Sequence, residues 1–247
     1  MKYELRSFWN KYFKFGWKFG LILILAVCSL RFVLVLKANE TGNYSLIGLV
    51  MFISALVPFI FLSNYGRREI GIKTTGKIHF LFIALLAGLV YSTVLYIIGK
   101  GLYGNSYHNW YEYIGKSYNI PPGISPQAKK TMFITMALTG ITFSPIGEEF
   151  FFRGIVHGSF ATSLGNRKAS IVDSLAFALT HISHFGLVFI NGSWNFYLIP
   201  ALIWVSSMFF ASIVFFLMKK YSGSIWGAVL CHAGFNLGMI YCIFYIM

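Results

Sequence analysis

The chain is built from apolar runs of membrane-spanning length. Ile78 to Ile98 and Phe196 to Met218 each pass 20 residues without an Asp, Glu, Lys or Arg. A hydrocarbon core about 30 Å thick takes roughly 20 helical residues to cross. Inside lipid, a helix satisfies every backbone N–H and C=O within the segment itself. Of the 247 residues, 57% are hydrophobic and 11% charged, against about 25% charged in an average soluble domain. These observations predict an all-α, polytopic membrane bundle of about seven transmembrane helices, in which any buried polar cavity would have to be lined by the few charged and polar side chains the apolar runs contain.

The predicted helices are residues 19–36, 45–62, 78–98, 131–152, 171–190, 196–218 and 224–247. Pro58 is expected to kink the second. Arg31 interrupts the first, where it is expected to snorkel to an interface rather than pair inside the bundle. The sequence divides into residues 1–130, with a basic interfacial segment, three helices and a long external loop, and residues 131–247, a second helix bundle. Together they form one membrane domain.

A net charge of +13 raises the possibility of nucleic acid. The basic residues, however, sit at the ends of apolar runs. Lys2, Arg6, Lys11, Lys14 and Lys18, then Arg67, Arg68, Lys73 and Lys77, then Arg167 and Lys168, then Lys219 and Lys220 would all share one side. That bias predicts a multi-pass protein of the cell membrane with a cytoplasmic amino terminus and anionic lipid as neighbour. No nucleic-acid partner is expected. Cys28, Cys231 and Cys242 lie within apolar runs without paired spacing and read as small core side chains. The oligomeric state cannot be read from the sequence.

Against this apolar background, Ser144 to Gly154 places Glu148, Glu149 and Arg153 inside a membrane segment, although the whole chain has only 7 acidic residues. One carboxylate at the centre of such a helix costs roughly 2.5–3.5 kcal/mol on insertion scales, so the cluster marks a functional site. Glu149 and Arg153 are four residues apart and share a helix face. Glu148 is turned about 100° away, so one glutamate can face a cavity while the arginine holds its neighbour. His181 falls one turn beyond Phe177 on the fifth helix, and His232 and Asn236 share a face of the seventh. These residues suit a hydrolytic site. Glu148 with His181 would activate a water, and His232 with Asn236 would donate to the developing oxyanion.

Glu148, His181 and His232 are also three ligands of kinds that zinc accepts. No His-Glu-x-x-His helix is present, so zinc or another divalent cation stays a possibility without a committed site. His184 is expected to hydrogen-bond across helices, His157 to be interfacial and Asp173 to cap the fifth helix. The glycine pairs 154/158, 223/227 and 234/238 have helix-packing spacing.

The three patterns in order, Glu148-Glu149-x-x-x-Arg153, Phe177-x-x-x-His181 and His232-x-x-x-Asn236, resemble the CAAX protease and bacteriocin-processing (Abi, or CPBP) group of intramembrane endopeptidases. The resemblance spans roughly residues 131–241. It implies hydrolysis of a peptide bond in a membrane-associated peptide or protein, with the first glutamate and the first histidine activating water and the last histidine and asparagine forming the oxyanion site. It further implies bacteriocin or signalling-peptide maturation, or immunity, with prenylated CAAX substrates set aside. Members are described both as glutamic proteases and as metalloproteases. The alternatives are a non-proteolytic membrane scaffold that regulates a partner protein and, less favoured, a transporter using buried carboxylates as a proton relay.

Overall fold

The computed structural model describes residues 3–247; Lys2, counted above among the basic residues, lies outside them. The described residues are predominantly helical, with one two-stranded hairpin. The elements are α1 (Trp17–Thr41), α2 (Ser45–Phe61), α3 (Asn64–Glu69), α4 (Ile78–Tyr103), α5 (Trp110–Lys116), α6 (Pro126–Glu149), a π-helical segment (Phe150–Val156), α7 (His157–Leu164), α8 (Asn166–Thr180), β1 (Leu187–Ile190), β2 (Ser193–Phe196), α9 (Leu198–Ser222) and α10 (Ile225–Tyr245).

Four of these helices, α1, α4, α9 and α10, are long and apolar enough to cross a membrane, fewer than the seven expected; α2 is a shorter apolar helix. α10 is the central rod. Of its apolar window 78% is buried, against 28–33% in the other three, and it packs on α4, α6 and α9. The outer helices turn large apolar side chains outward, among them Leu25 and Val33 of α1, Leu86 and Val90 of α4, and Leu202 of α9. An apolar belt of that extent belongs against lipid.

Packing beside the site depends on missing side chains. A Cβ on Gly88 would collide with the Cys231 carbonyl, and one on Gly147 with the Met51 carbonyl. These glycines let α4 approach α10, and α6 approach α2, at backbone distance.

The fourth predicted helix is longer than expected at both ends. Ser125 caps α6 by accepting from the Ala128 amide and Pro126 fills the first turn, where a missing N–H costs nothing. At the other end the chain continues through the π segment into α7, with all seven residues of the π segment buried. The fifth predicted helix is shorter than expected. α8 stops at Thr180, a 3-10 turn follows over His181–Ser183, and Leu187–Ile190 is a strand paired antiparallel with Ser193–Phe196. Asn191 (φ 52°) and Gly192 (φ 78°) make the tight turn. An Asn-Gly pair between β-branched and aromatic residues is a strong hairpin signal, and it overrides the apolar run before it.

The loop expected to be external and interfacial contains α5. Its Trp110 and Tyr111 are fully buried, and the Tyr111 hydroxyl donates to the Ser92 carbonyl at 2.6 Å. The amino-terminal segment is likewise tied down. Leu5 forms an antiparallel bridge with Leu62, and the Trp9 indole donates to the Ile60 carbonyl at 2.9 Å.

Candidate active site

Local geometry sets the position of each polar side chain. Gly147 brings α6 against α2, and the next residue, Glu148, turns into the bundle with 2% exposure. Glu148 is not the free carboxylate that the sequence suggested. Arg31 of α1 clasps it, with Nη1 3.0 Å from Oε2 and Nη2 donating to Oε1 at 3.1 Å. Ser144, one turn back on α6, also donates to Oε1 at 2.5 Å. Arg31 therefore does not snorkel; it is 3% exposed and pairs inside the bundle.

Where α8 ends, the 3-10 turn swings His181 toward Glu148. Its Nδ1 lies 2.7 Å from the Phe177 carbonyl. A carbonyl only accepts, so Nδ1 carries the proton and Nε2 presents its lone pair in the neutral ring. That Nε2 stands 3.9 Å from Glu148 Oε2, too long for a direct hydrogen bond and short enough for one water to bridge. His184 lies 3.2 Å from Arg31 Nη2 through its Nε2, the cross-helix role expected of it. The Trp204 indole donates to the His181 carbonyl at 3.0 Å and fixes the turn.

His232 of α10 is held from behind. Its Nδ1 is 2.7 Å from Glu149 Oε1, and Arg153 Nη1 donates to the same oxygen at 3.2 Å. Phe215 stacks on the imidazole with centroids 4.8 Å apart. The predicted i,i+4 pair of Glu149 and Arg153 is present, with both side chains fully buried. The Arg153 guanidinium also sits over the Phe177 ring at 4.3 Å and the Phe215 ring at 5.2 Å, so aromatic faces balance part of its charge. Asn236 donates from Nδ2 to the Gly140 carbonyl at 2.9 Å, leaving its second N–H unused by that bond.

Glu148, His181, His232 and Asn236 line one cavity of about 240 Å³, together with Arg31, Ser144 and His184. Its walls are apolar, including Met51, Phe177 and Met239, and Ile114 and Tyr118 from the α5 region close one side. Glu149 and Arg153 do not line it. They stand behind His232, which Glu149 contacts through Oε1.

Two further expectations change. Asp173 does not cap α8. It is the eighth residue of that helix, fully buried, and lies 2.6 Å from His157 Nδ1 and 4.0 Å from Arg153 Nε. His157 is accordingly buried rather than interfacial, with its other ring nitrogen 3.2 Å from Asn166 Oδ1.

The donor set fits a metal poorly. The two Glu148 oxygens already face a guanidinium and a hydroxyl, and a second cation against Arg31 would be repelled. Among the described residues, no group of three His, Cys, Asp or Glu side chains is arranged to hold an ion. Glu148, His181 and His232 as placed do not form the ligand set that their chemistry allowed.

Residues 130–238 match a family model described as type II CAAX prenyl endopeptidase Rce1-like. This segment is Rce1-like. The Rce1-like segment contains all six residues singled out in the sequence, from Glu148 to Asn236. It excludes α1, α2 and α4, and with them Arg31. No curated protein and no solved structure matches the chain. Sequence reasoning had Arg31 in hand as a charge in an apolar run. It lacked the partner, because nothing local to α1 points to α6.

Proposed function

We propose that this chain is an intramembrane endopeptidase that hydrolyses a peptide bond in a membrane-associated peptide or protein. The observation supporting this reading is the convergence of Glu148, His181, His232 and Asn236, from three helical elements, on one cavity within the Rce1-like segment. The seven-helix membrane count and the cytoplasmic amino terminus belong to the same reading.

In this mechanism a water bridges Glu148 Oε2 and His181 Nε2 and attacks the scissile carbonyl carbon. Its proton passes to that pair, and the carbonyl π electrons move to oxygen. The oxyanion then accepts from the free N–H of Asn236 and from His232. The His232 ring, with Nδ1 bound to Glu149, donates from Nε2 when both nitrogens carry protons. Collapse of the tetrahedral intermediate breaks the C–N bond, and the proton held by Glu148 and His181 goes to the leaving amine. The apolar walls keep bulk water out and strengthen each of these contacts.

The substrate class follows from the site being membrane-embedded and the family being one of peptidases. Bacteriocin or signalling-peptide maturation, or immunity, fits such a substrate, and the family's own name adds prenylated carboxy-terminal peptides to the candidates. The decisive test is cleavage by the Glu148→Gln variant in proteoliposomes, read by peptidomics of membranes from a deletion strain. Loss of a general base costs roughly 100- to 10,000-fold. Processing at the normal rate by that variant would remove Glu148 from the mechanism.

One observation favours the regulatory scaffold. Arg31 and Ser144 both donate to Glu148 Oε1, and Arg31 Nη1 lies 3.0 Å from Oε2, which suits a purely structural carboxylate as well. Complementation by a Glu148→Ala, Glu149→Ala double variant separates the two readings, because full rescue is the scaffold's outcome alone.

A further inference from the structure

A second cavity is larger than the one at Glu148. At the far end of the bundle, about 880 Å³ lies open between the amino-terminal segment, the loop after α3, and helices α7, α8 and α9. Lys73, Arg167, Lys219, Lys220 and His157 line it, against two carboxylates, Glu4 and Glu69. The remaining lining includes apolar Phe15 and Ile70, and Phe216 and Leu217 of α9. Lys219 is anchored by donating to the Arg153 carbonyl at 2.5 Å, while Lys73, Arg167 and Lys220 are exposed and free to close on an anion.

Basic side chains beside apolar ones, where membrane helices end, match an amphiphilic ligand. A basic pocket between helices at a membrane surface captures an anionic headgroup. The apolar lining includes part of α9, whose neighbouring side chains face outward as a lipid-contacting surface would. A soluble phosphate would have no use for that lining.

We propose that this second cavity is a binding site for a phosphate-bearing headgroup, supplied by an anionic phospholipid whose acyl chain lies along α9. The inference is independent of whether the chain hydrolyses peptides.

The test uses the full chain purified in neutral detergent. It is titrated separately with phosphatidylglycerol, with phosphatidylcholine of the same acyl chains, and with inorganic phosphate. Retention is read by native mass spectrometry and stabilisation by thermal unfolding. Phosphatidylglycerol is expected to stay bound and raise the unfolding temperature, and phosphatidylcholine to do neither. K73Q/R167Q/K220Q should weaken phosphatidylglycerol binding about ten-fold or more. K100Q/K129Q/K130Q removes the same charge at the other end of the bundle and should leave binding intact. Equal retention of both lipids, or equal loss in both triple variants, would overturn the site. Protection by inorganic phosphate that competes with phosphatidylglycerol would overturn the lipid as its source.

Discussion

Glu148 has two oxygens and meets Arg31, Ser144 and His181 around them. Arg31 supplies the counter-charge that lets a carboxylate exist at 2% exposure. Removing one member of a buried pair leaves an uncompensated charge, at a typical cost of 3–5 kcal/mol, whereas replacing both with apolar residues is often tolerated. Arg31→Leu alone should therefore lower the unfolding temperature sharply. Arg31→Leu with Glu148→Leu should recover most of that loss while remaining inactive. Thermal unfolding in detergent checks the first expectation and a cleavage assay the second. Non-additivity between the single and double variants measures the pair directly. Glu149 plays a different part: it holds the His232 ring by Nδ1, so its neighbour in sequence faces the cavity while it faces away. The turn of about 100° between adjacent helical residues explains why one of two identical side chains lines the cavity and the other does not.

At the scale of elements, the site depends on how closely rods approach and on where they stop. α4 meets α10 at Gly88, where an added Cβ runs into a backbone carbonyl, whereas Gly101 on the same helix has open space around it. Gly88→Leu should destabilise by about 1–3 kcal/mol through overpacking. Gly101→Ala should be neutral or stabilising by up to about 1 kcal/mol, since it removes chain entropy from the unfolded state. Unfolding temperatures of the two variants test this contrast. The early stop of α8 matters as much. A helix continued to Ile190 would carry His181 along a straight axis. Ending at Thr180 instead lets the 3-10 turn point Nε2 at Glu148, with the carbonyl of Phe177 fixing the tautomer. The Asn191-Gly192 turn was readable in the sequence, but the strand that leads into it was not. The length of the apolar run hid it, because a buried strand and a buried helix segment look alike over a few residues.

At the scale of the whole molecule, the carboxy-terminal half does not pack by itself. α10 packs more extensively on α4 than on any other single helix, and the charge of Glu148 is met from α1. Residues 126–247 expressed by themselves should fail to accumulate as a stable protein. Co-expression with residues 1–125 should restore both accumulation and a complex of the two pieces. Co-purification through a tag on one piece tests it, and a stable, active carboxy-terminal piece on its own would contradict this view of the packing. The basic loops also meet at this scale. Lys73, Arg167 and Lys219–Lys220, assigned to one side by their positions between apolar runs, line a single cavity.

The sequence by itself determined the helical class and picked out six candidate residues, because those are matters of local spacing: three to four residues set a helix face, and about twenty set a span. The tertiary structure alone decided which charge answers which. Arg31 and Glu148 are 117 positions apart, and Asp173 meets His157 and Arg153 rather than its own helix end. A buried charge takes whichever opposite charge the packing delivers, and packing at backbone distance between glycine-lined helices is a property of the assembled bundle.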